Sequence, residues 1–204
     1  MLELFKLIDQ DPDEQMKMSV VAPYIDHRLT QPLGHGIAFQ YVAADRAGQI
    51  VGAVSAHTPL EWTTSFGQDV NAALRSTLIE IVWLAVAPDA RNRGIGRRLL
   101  EAAEQQAARQ HCHLAEISYK RDDEARLSPY YRAAGYTELD PREPLQILHE
   151  RNVLTLPYHH NLRVAIKPLR PDVTIVNLAP GGPRVVSGLI NLPSQPAPRT
   201  FLKS

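Results

Sequence analysis

The sequence predicts an α/β (α+β) fold in which strands and helices are interleaved. Hydrophobic residues make up 44% of the 204 residues, enough to form a core. The segment TLIEIVWLAV, residues 77–86, is rich in β-branched and aromatic side chains, which favour strands. The pattern then becomes helical from Ile95 to about Gln110, with apolar residues on one face. A strand followed by an amphipathic helix is typical of an α/β arrangement.

The segments before this strand also show strand and helix patterns. Residues 2–8, LELFKLI, alternate well enough to predict a first strand. Residues 11–29 predict a helix. Residues 37–58 predict an antiparallel hairpin, because two strand-like runs flank a turn that contains Asp45 and Gly48.

A later helix is marked by residues that favour helix ends. Ser128 followed by Pro129 is typical of an N-cap and the first helical position, and Gly135 is typical of a helix end. The remaining elements are a short helix in the second half of residues 59–76 and strands over residues 113–119, 136–140 and 162–169.

The chain changes character after Leu169. Six prolines interrupt two short apolar runs; they are Pro171, Pro180, Pro183, Pro193, Pro196 and Pro198. Such a segment cannot build its own core, so we divide the chain into a domain of residues 1–169 and a Pro-rich C-terminal extension of residues 170–204. The extension packs back on the domain, adds strands to a neighbouring subunit of a homodimer, or is partly disordered.

Charge and composition exclude several classes of protein. Lys and Arg together equal Asp and Glu at 22 each, which disfavours a nucleic-acid binder. The single cysteine, Cys112, excludes an internal disulfide framework and fits a reducing compartment. The amino terminus turns acidic too early for a signal peptide. No apolar run reaches the about 20 residues that a membrane span needs. We therefore expect a cytoplasmic protein without a membrane partner.

The segment LAVAPDARNRGIGRRLL, residues 84–100, places two glycines and four arginines where a strand gives way to a helix. A helix N-terminus attracts anions through its unpaired N–H groups and its dipole. Gly94 and Gly96 would let a bulky anion approach the backbone. The lysine of a P-loop and the third glycine of a dinucleotide-binding turn are both absent. The pattern predicts a diphosphate cradle of another kind, with a solvated loop as the alternative.

Three motifs in this order resemble the GNAT superfamily of acyl-CoA-dependent N-acetyltransferases. RNRGIG, residues 91–96, matches the family's R/Q-x-x-G-x-G/A signature, and LAVAPDAR precedes it. PYYRAAGY, residues 129–136, resembles the family's FYEKLGF segment, and LRVAIKPL resembles its final strand. The similarity covers about residues 36–169. It implies a mixed, mostly antiparallel central sheet flanked by helices, with splayed central strands.

The resemblance also implies a site for acetyl-CoA as co-substrate, with no metal. In this family the splayed strand pairs with pantetheine, and the turn binds the pyrophosphate through backbone N–H groups. The cofactor-binding residues implied are Leu84, Ala85, Val86, Arg91, Asn92, Arg93, Gly94, Ile95, Gly96 and Arg97. The histidines at residues 111–113 lack partners with metal-ligand spacing and are expected in a solvated loop. Cys112 is expected to be a small buried hydrophobe.

Two residues are candidates for proton transfer. Glu80 interrupts an apolar strand and, by strict alternation, shares a face with Val82, Leu84 and Val86. The resemblance makes it the general base; the alternative is an edge carboxylate paired with an arginine. Tyr131 matches the family's general acid, whereas a buried tyrosine is otherwise a core residue with a tethered hydroxyl. The adjacent Tyr130 is the lesser candidate.

These features predict an N-acetyltransferase that acts by direct attack of a primary amine in a ternary complex. The alternative is a non-catalytic acyl-CoA-binding sensor or regulatory module of the same fold. The acceptor is expected to be a small-molecule or peptide amine; polyamines, aminoglycosides, amino acids, protein N-termini and lysines all fit.

Overall fold

Three α-helices and ten strands form the part of the chain that the computed structural model describes, which comprises residues 37–59, 66–140, 142–149, 152–156, 161–177 and 183–189. The helices are α1 (Gln68–Thr77), α2 (Ile95–Arg109) and α3 (Glu124–Ala133). The strands are β1 (Ala38–Ala44), β2 (Ile50–His57), β3 (Leu78–Val86), β4 (Leu114–Lys120), β5 (Thr137–Glu138), β6 (Gln146–His149), β7 (Asn152–Thr155), β8 (Leu162–Pro168), β9 (Thr174–Asn177) and β10 (Arg184–Ser187). The strand and helix predicted over residues 2–29 lie outside the described residues.

Six strands form the central sheet, in the order β1-β2-β3-β4-β8-β5. Neighbouring strands are antiparallel except β3 and β4, which are parallel. A parallel pair needs a crossover connection, and α2 provides it. The predicted mixed, mostly antiparallel sheet flanked by helices is confirmed.

The hairpin at one edge of this sheet is closed by the two residues that mark its turn. Oδ1 of Asp45 accepts hydrogen bonds of 2.9 Å from the N–H groups of Ala47 and Gln49. Gly48 has a φ of 80°, in the region that favours glycine. The predicted hairpin is confirmed, with β1 and β2 antiparallel.

Helix α2 packs on the central sheet along the face that its periodicity predicts. Leu99, Leu100, Ala103 and Ala107 are buried. They belong to a core, hereafter the α2 core, that also contains Val54, Ile79, Ile81, Ala115, Ile117, Tyr119, Tyr131 and Ala165. This packing fixes the N-terminus of α2 at one end of the sheet.

The start of α3 differs from the prediction. The helix begins at Glu124, so the predicted start at residues 128–129 is wrong. Ser128 and Pro129 lie inside the helix, and the Ser128 hydroxyl helps to lower the pKa of Glu138, a partner that is absent from the local sequence pattern. Gly135, with a φ of 88°, follows the last turn as predicted.

Four shorter strands form a second sheet, in the order β7-β6-β10-β9. β10 pairs in parallel with β6 and antiparallel with β9. Val173, Val186 and Leu189 share a second buried core with Leu74 and Leu114. The described residues after Leu169 thus contribute to a core that earlier segments also form, while the division at residue 169 stays a prediction.

Among the described residues, no helix combines the length and the apolar character that crossing a bilayer requires.

Candidate active site

The two parallel strands at the centre of the sheet separate after a short paired region. β3 and β4 pair at three positions, of which Glu80 and Glu116 are the last. Beyond them, β3 continues to Val86 with β2 beside it, and β4 continues to Lys120 with β8 beside it. No pairing joins these second halves within the described part of the chain. The predicted splay of the central strands is confirmed; "the splay" below means this gap between β3 and β4.

The strand segment expected to pair with pantetheine lies on the edge of the splay. Leu84, Ala85 and Val86 pair with β2 on one side. On the other side, no strand of the described chain pairs with them. Unpaired backbone N–H and C=O groups at a strand edge are available to hydrogen-bond an extended ligand. The position therefore suits the predicted role, which stays a prediction.

A β-bulge changes which side chains of β3 share a face. Val82 has no partner in the register between β2 and β3, and such an extra residue interrupts the alternation. The residues on either side of Glu80 pack in the α2 core together with Leu84, whereas Trp83 packs on the opposite face. Val86 also contacts α2. The prediction that Glu80 shares a face with Leu84 and Val86 is therefore wrong.

A cross-strand pair of carboxyl groups lies where the splay begins. Glu80 is partly exposed, whereas only 1% of Glu116 is exposed. Burial, and then the charge of Glu80, raise the pKa of Glu116 well above its ordinary value, although a hydrogen bond of 2.5 Å from the Ser118 hydroxyl opposes this. The closed end of the splay thus holds two carboxyl groups that resist full ionisation.

Glu116 is a candidate site residue that the sequence did not single out. It lies within LAEISYK, a strand that is otherwise largely apolar. A carboxylate in an apolar strand is the same signal that singled out Glu80, so Glu116 could have been predicted from the sequence as a second candidate. The parallel register that sets the two residues side by side is a property of the folded sheet alone.

Arginine side chains hold the loop between β3 and α2. Nε of Arg91 donates to the carbonyl oxygen of Val86 at 3.1 Å. Nη2 of Arg93 donates to the carbonyl oxygen of Asp89 at 2.9 Å. Each guanidinium has five N–H donors, so these exposed groups keep further donors for an anion.

The N-terminus of α2 presents backbone N–H groups that the helix does not use. No side chain caps the helix, and its first backbone hydrogen bond runs from the N–H of Arg98 to the carbonyl oxygen of Gly94. The N–H groups of residues 95–97 therefore precede the helical ladder. The guanidinium of Arg97 also lies here, but it is paired with the carboxylate of Glu101 at 2.6 Å and donates to the carbonyl oxygen of Ala133 at 2.6 Å. Such an end is suited to a phosphate group.

The two glycines of the turn are required for different reasons. Gly94 has a φ of 76°, and Asn92, at 61°, shares this left-handed conformation. Gly96 is needed for close packing, because a Cβ there would lie 3.1 Å from the hydroxyl oxygen of Tyr130 and 3.4 Å from Cγ2 of Val86. Gly96 thus lets α2, α3 and β3 converge at the open end of the splay.

Tyr131 lies beside the splay. Its ring stacks on Tyr119 with centroids 5.4 Å apart, and Tyr119 belongs to the half of β4 that no longer pairs with β3. Burial raises the pKa of the Tyr131 phenol above its ordinary value of about 10. The phenol is therefore protonated at neutral pH and able to donate a proton. Its role as general acid stays a prediction.

Tyr130 occupies the opposite end of this tyrosine cluster, next to the turn. Its hydroxyl is buried and has no hydrogen-bond partner among the described residues. Burial raises the pKa of Tyr130 to about 12. The rings of Tyr130 and Tyr131 meet edge to face, with centroids 5.2 Å apart. The two tyrosines thus point to different parts of the site, Tyr130 to Gly96 and Tyr131 to the unpaired half of β4.

The other reactive side chains lie in a connection after α2. Cys112 is fully buried and burial raises its pKa to about 12, which confirms the predicted small hydrophobe. His111 is exposed as expected. The prediction of a solvated loop is wrong for His113, because Nδ1 of this residue lies 3.1 Å from the carbonyl oxygen of Leu189 and the ring is half-buried by this tertiary contact.

Comparison with known proteins agrees with this architecture. The family described as "Acetyltransferase (GNAT) domain" matches residues 38–138, which span β1 to β5 and include the whole splay and turn. A search of curated proteins found no match.

Solved structures match most of the chain at low sequence identity. A GNAT-family protein of Desulfovibrio desulfuricans is 13% identical, with 83% of this chain and 88% of that chain covered and a TM-score of 0.54. A GNAT family acetyltransferase of Elizabethkingia anophelis, with acetyl-CoA bound, is 17% identical, with 82% and 89% covered and a TM-score of 0.49. Through residues 38–138, this chain belongs to the GNAT acetyltransferase family.

Proposed function

We propose that this protein is an N-acetyltransferase that moves an acetyl group from acetyl-CoA to a primary amine by direct attack in a ternary complex. The observation that carries the proposal is the splay, which has carboxyl groups at its closed end, a protonated phenol beside it and unused N–H groups at its open end. An acyl donor and an acceptor could meet between these groups.

The residues around the turn fit a diphosphate. Hydrogen-bond donors for such an anion come from the N–H groups of residues 95–97 and from the exposed arginines. The positive φ of Gly94 shapes the turn that precedes them. The free edge of residues 84–86 lies next to them. The match of residues 38–138 to the GNAT acetyltransferase domain supports acetyl-CoA as the co-substrate of this chain. When bound, acetyl-CoA supplies an acyl group activated as a thioester.

Glu80 and Tyr131 would handle the protons of the reaction. An alkyl ammonium has a pKa of about 10.4, so the acceptor must lose a proton before it becomes a nucleophile. We assign Glu80 as the base, because it is the partly exposed member of the carboxyl pair. The Tyr131 phenol donates its proton to the departing sulfur as the carbon–nitrogen bond forms and the carbon–sulfur bond breaks.

The acceptor, the cellular location and the oligomeric state are also proposals. We expect a small-molecule or peptide amine, because a carboxyl pair favours a cationic group and the balanced charge disfavours nucleic acid. A cytoplasmic location fits the single, buried Cys112. β7 and β9 are the edges of the second sheet, where strand addition could form a homodimer.

Coenzyme A binding and thiol release test this function. We expect coenzyme A to raise the melting temperature by mass action, and thiol to be released from acetyl-CoA with at least one member of an amine panel. Tyr131→Phe should lower kcat by about 10²-fold, whereas Tyr41→Phe, which removes a hydroxyl bonded to Gln106 away from the splay, should not. Binding without turnover for every amine would favour the acyl-CoA sensor, and no stabilisation at all would refute both functions.

The packing at Gly96 predicts a specific pair of variants. Gly96→Ala would place a methyl group 3.1 Å from the Tyr130 hydroxyl, so either Tyr130 or the start of α2 must shift, and coenzyme A should bind about 3- to 10-fold more weakly. Tyr130→Phe removes that hydroxyl and should restore most of the affinity in the double variant. The measurement is the coenzyme A dissociation constant by calorimetry.

Gly67→Ala is the matched control for that pair. Space around Gly67 is open, with no other atom within 4 Å of the point where the added methyl group would lie, and its φ of −57° suits any residue. Equal coenzyme A affinity for Gly96→Ala and Gly67→Ala would contradict a cradle at Gly96.

A further inference from the structure

We propose that Glu80 and Glu116 act together as a single base: a cross-strand carboxyl pair that takes up the ammonium proton of the acceptor and shares it. This inference rests on the proposed function and adds Glu116 as a positioning residue that acts through Glu80. The carboxyl groups belong to the last two paired residues of β3 and β4, at the closed end of the splay.

The register sets the two side chains on the same face of the sheet. Both residues are flanked in sequence by residues of the α2 core, namely Ile79, Ile81, Ala115 and Ile117. Because side chains alternate along a strand, Glu80 and Glu116 both point away from α2. Side chains at paired positions of neighbouring strands are adjacent, since the strands lie about 4.8 Å apart. The two carboxyl groups are therefore neighbours.

Glu116 has an unsatisfied oxygen in a buried position. Oε1 accepts the hydrogen bond from Ser118, but Oε2 has no hydrogen-bond partner in the described part of the chain. Burying a carboxylate without full pairing is costly, which favours its protonated form. A proton shared with Glu80 would satisfy this oxygen and remove the repulsion between two negative charges.

Within the described residues, the groups that act on Glu116 do not compensate its negative charge, because they are the charge of Glu80 and the uncharged Ser118 hydroxyl. On β2, His57 pairs in register with Glu80. On β8, Ile166 faces Glu116. The Tyr136 phenol is close enough for its own pKa to respond to Glu116, and a phenol contributes no positive charge. No lysine or arginine pairs with Glu116 among the described residues.

The pair is a stronger base than a lone carboxylate. A single glutamate, with a pKa of about 4.3, is poorly matched to an ammonium of about 10.4. In the proposed step, the doubly ionised pair accepts one N–H proton from the ammonium. The nitrogen keeps the electron pair of that bond and becomes a neutral amine, and the pair becomes singly charged. The titration belongs to the pair as a whole.

The first experiment uses the free protein and needs no substrate. We expect infrared titration to show a protonated carboxylic acid that persists above the ordinary range of glutamate. Glu116→Gln should remove this signal, and Glu80→Gln should lower its titration midpoint by about one pH unit or more. Glu143→Gln, which changes a buried carboxylate bonded to Arg184, should leave the signal unchanged. The same midpoint in wild type and Glu80→Gln would overturn the pair.

Stability gives a second readout with a defined sign. The pKa of Glu116 is raised in the folded state, so its protonated form stabilises the fold at low pH, and this stabilisation is lost as the pH rises through the folded-state pKa. Glutamine cannot ionise, so the stability of Glu116→Gln does not decrease in this way as the pH rises. The melting temperature of Glu116→Gln minus that of wild type should therefore increase by about 2–4 °C when the pH is raised from 5 to 8. A difference independent of pH would contradict the proposal.

The third experiment tests the link to catalysis. With an acceptor that turns over, the acidic limb of kcat/KM should lie about one pH unit lower in Glu116→Gln than in wild type, with kcat reduced about tenfold. If Glu116 has a purely structural role, the acidic limb of kcat/KM should lie at the same pH in Glu116→Gln and in wild type. If no amine turns over but the infrared and stability results hold, the proposed function fails while the pair stands. If activity is present and all three readouts are unchanged, the pair fails while the function stands.

Discussion

Glu80→Gln is expected to lower kcat for acceptor acetylation by about 10²- to 10⁴-fold, the usual contribution of a general base. Glutamine keeps the size of the side chain but cannot accept the ammonium proton. The affinity for coenzyme A should stay within about twofold, because the turn and the N-terminus of α2 lie at the other end of the splay. A steady-state assay with calorimetric binding separates these two effects.

The control for this prediction is a carboxylate elsewhere in the fold. Glu143→Gln removes a buried charge from a cluster with Arg184, outside the splay, and should keep wild-type kcat. Raising the pH increases the fraction of neutral amine in solution, so Glu80→Gln should regain part of its activity at alkaline pH. A Glu80→Gln enzyme with wild-type kcat at neutral pH would remove Glu80 from the mechanism.

Leu100→Ala is expected to destabilise the fold by about 2–5 kcal/mol, the range for truncating a buried leucine. Leu100 is 0% exposed and lies at the centre of the α2 core. Its loss leaves a cavity between α2 and the sheet, and the same helix carries the N–H groups of the turn. Urea unfolding gives the free energy of unfolding directly.

A surface position of the same helix gives the matched control. Gln105 is exposed on α2, and Gln105→Ala should change the free energy of unfolding by less than about 0.5 kcal/mol. If both variants unfold with similar free energies, α2 is not packed on the sheet through Leu100, and the placement of the turn loses its support.

Features with a local cause were predictable from the sequence. The hairpin follows from Asp45 and Gly48, whose side chain and backbone close the turn by themselves. The buried face of α2 follows from the helical spacing of its apolar residues. The turn at Gly94 follows from a conformation that few other residues adopt.

Features that depend on distant partners were mispredicted or missed. The bulge at Val82 depends on how β3 pairs with β2, and it moves Leu84 to the face opposite Glu80. α3 begins before Ser128, and the hydroxyl of this residue acts on Glu138 rather than at a helix end. Each of these outcomes is set by a contact between segments that are separate in the sequence.

The sequence by itself determined the hairpin, the succession of β3, the glycine-rich turn and α2, and the family, because each is encoded in short runs of residues with local preferences. Only the tertiary structure decided that β3 and β4 separate after one pair of glutamates, and that these two carboxyl groups share a face. The physical reason is register: the pairing of strands far apart in the chain fixes which side chains become neighbours, and burial then sets their charge.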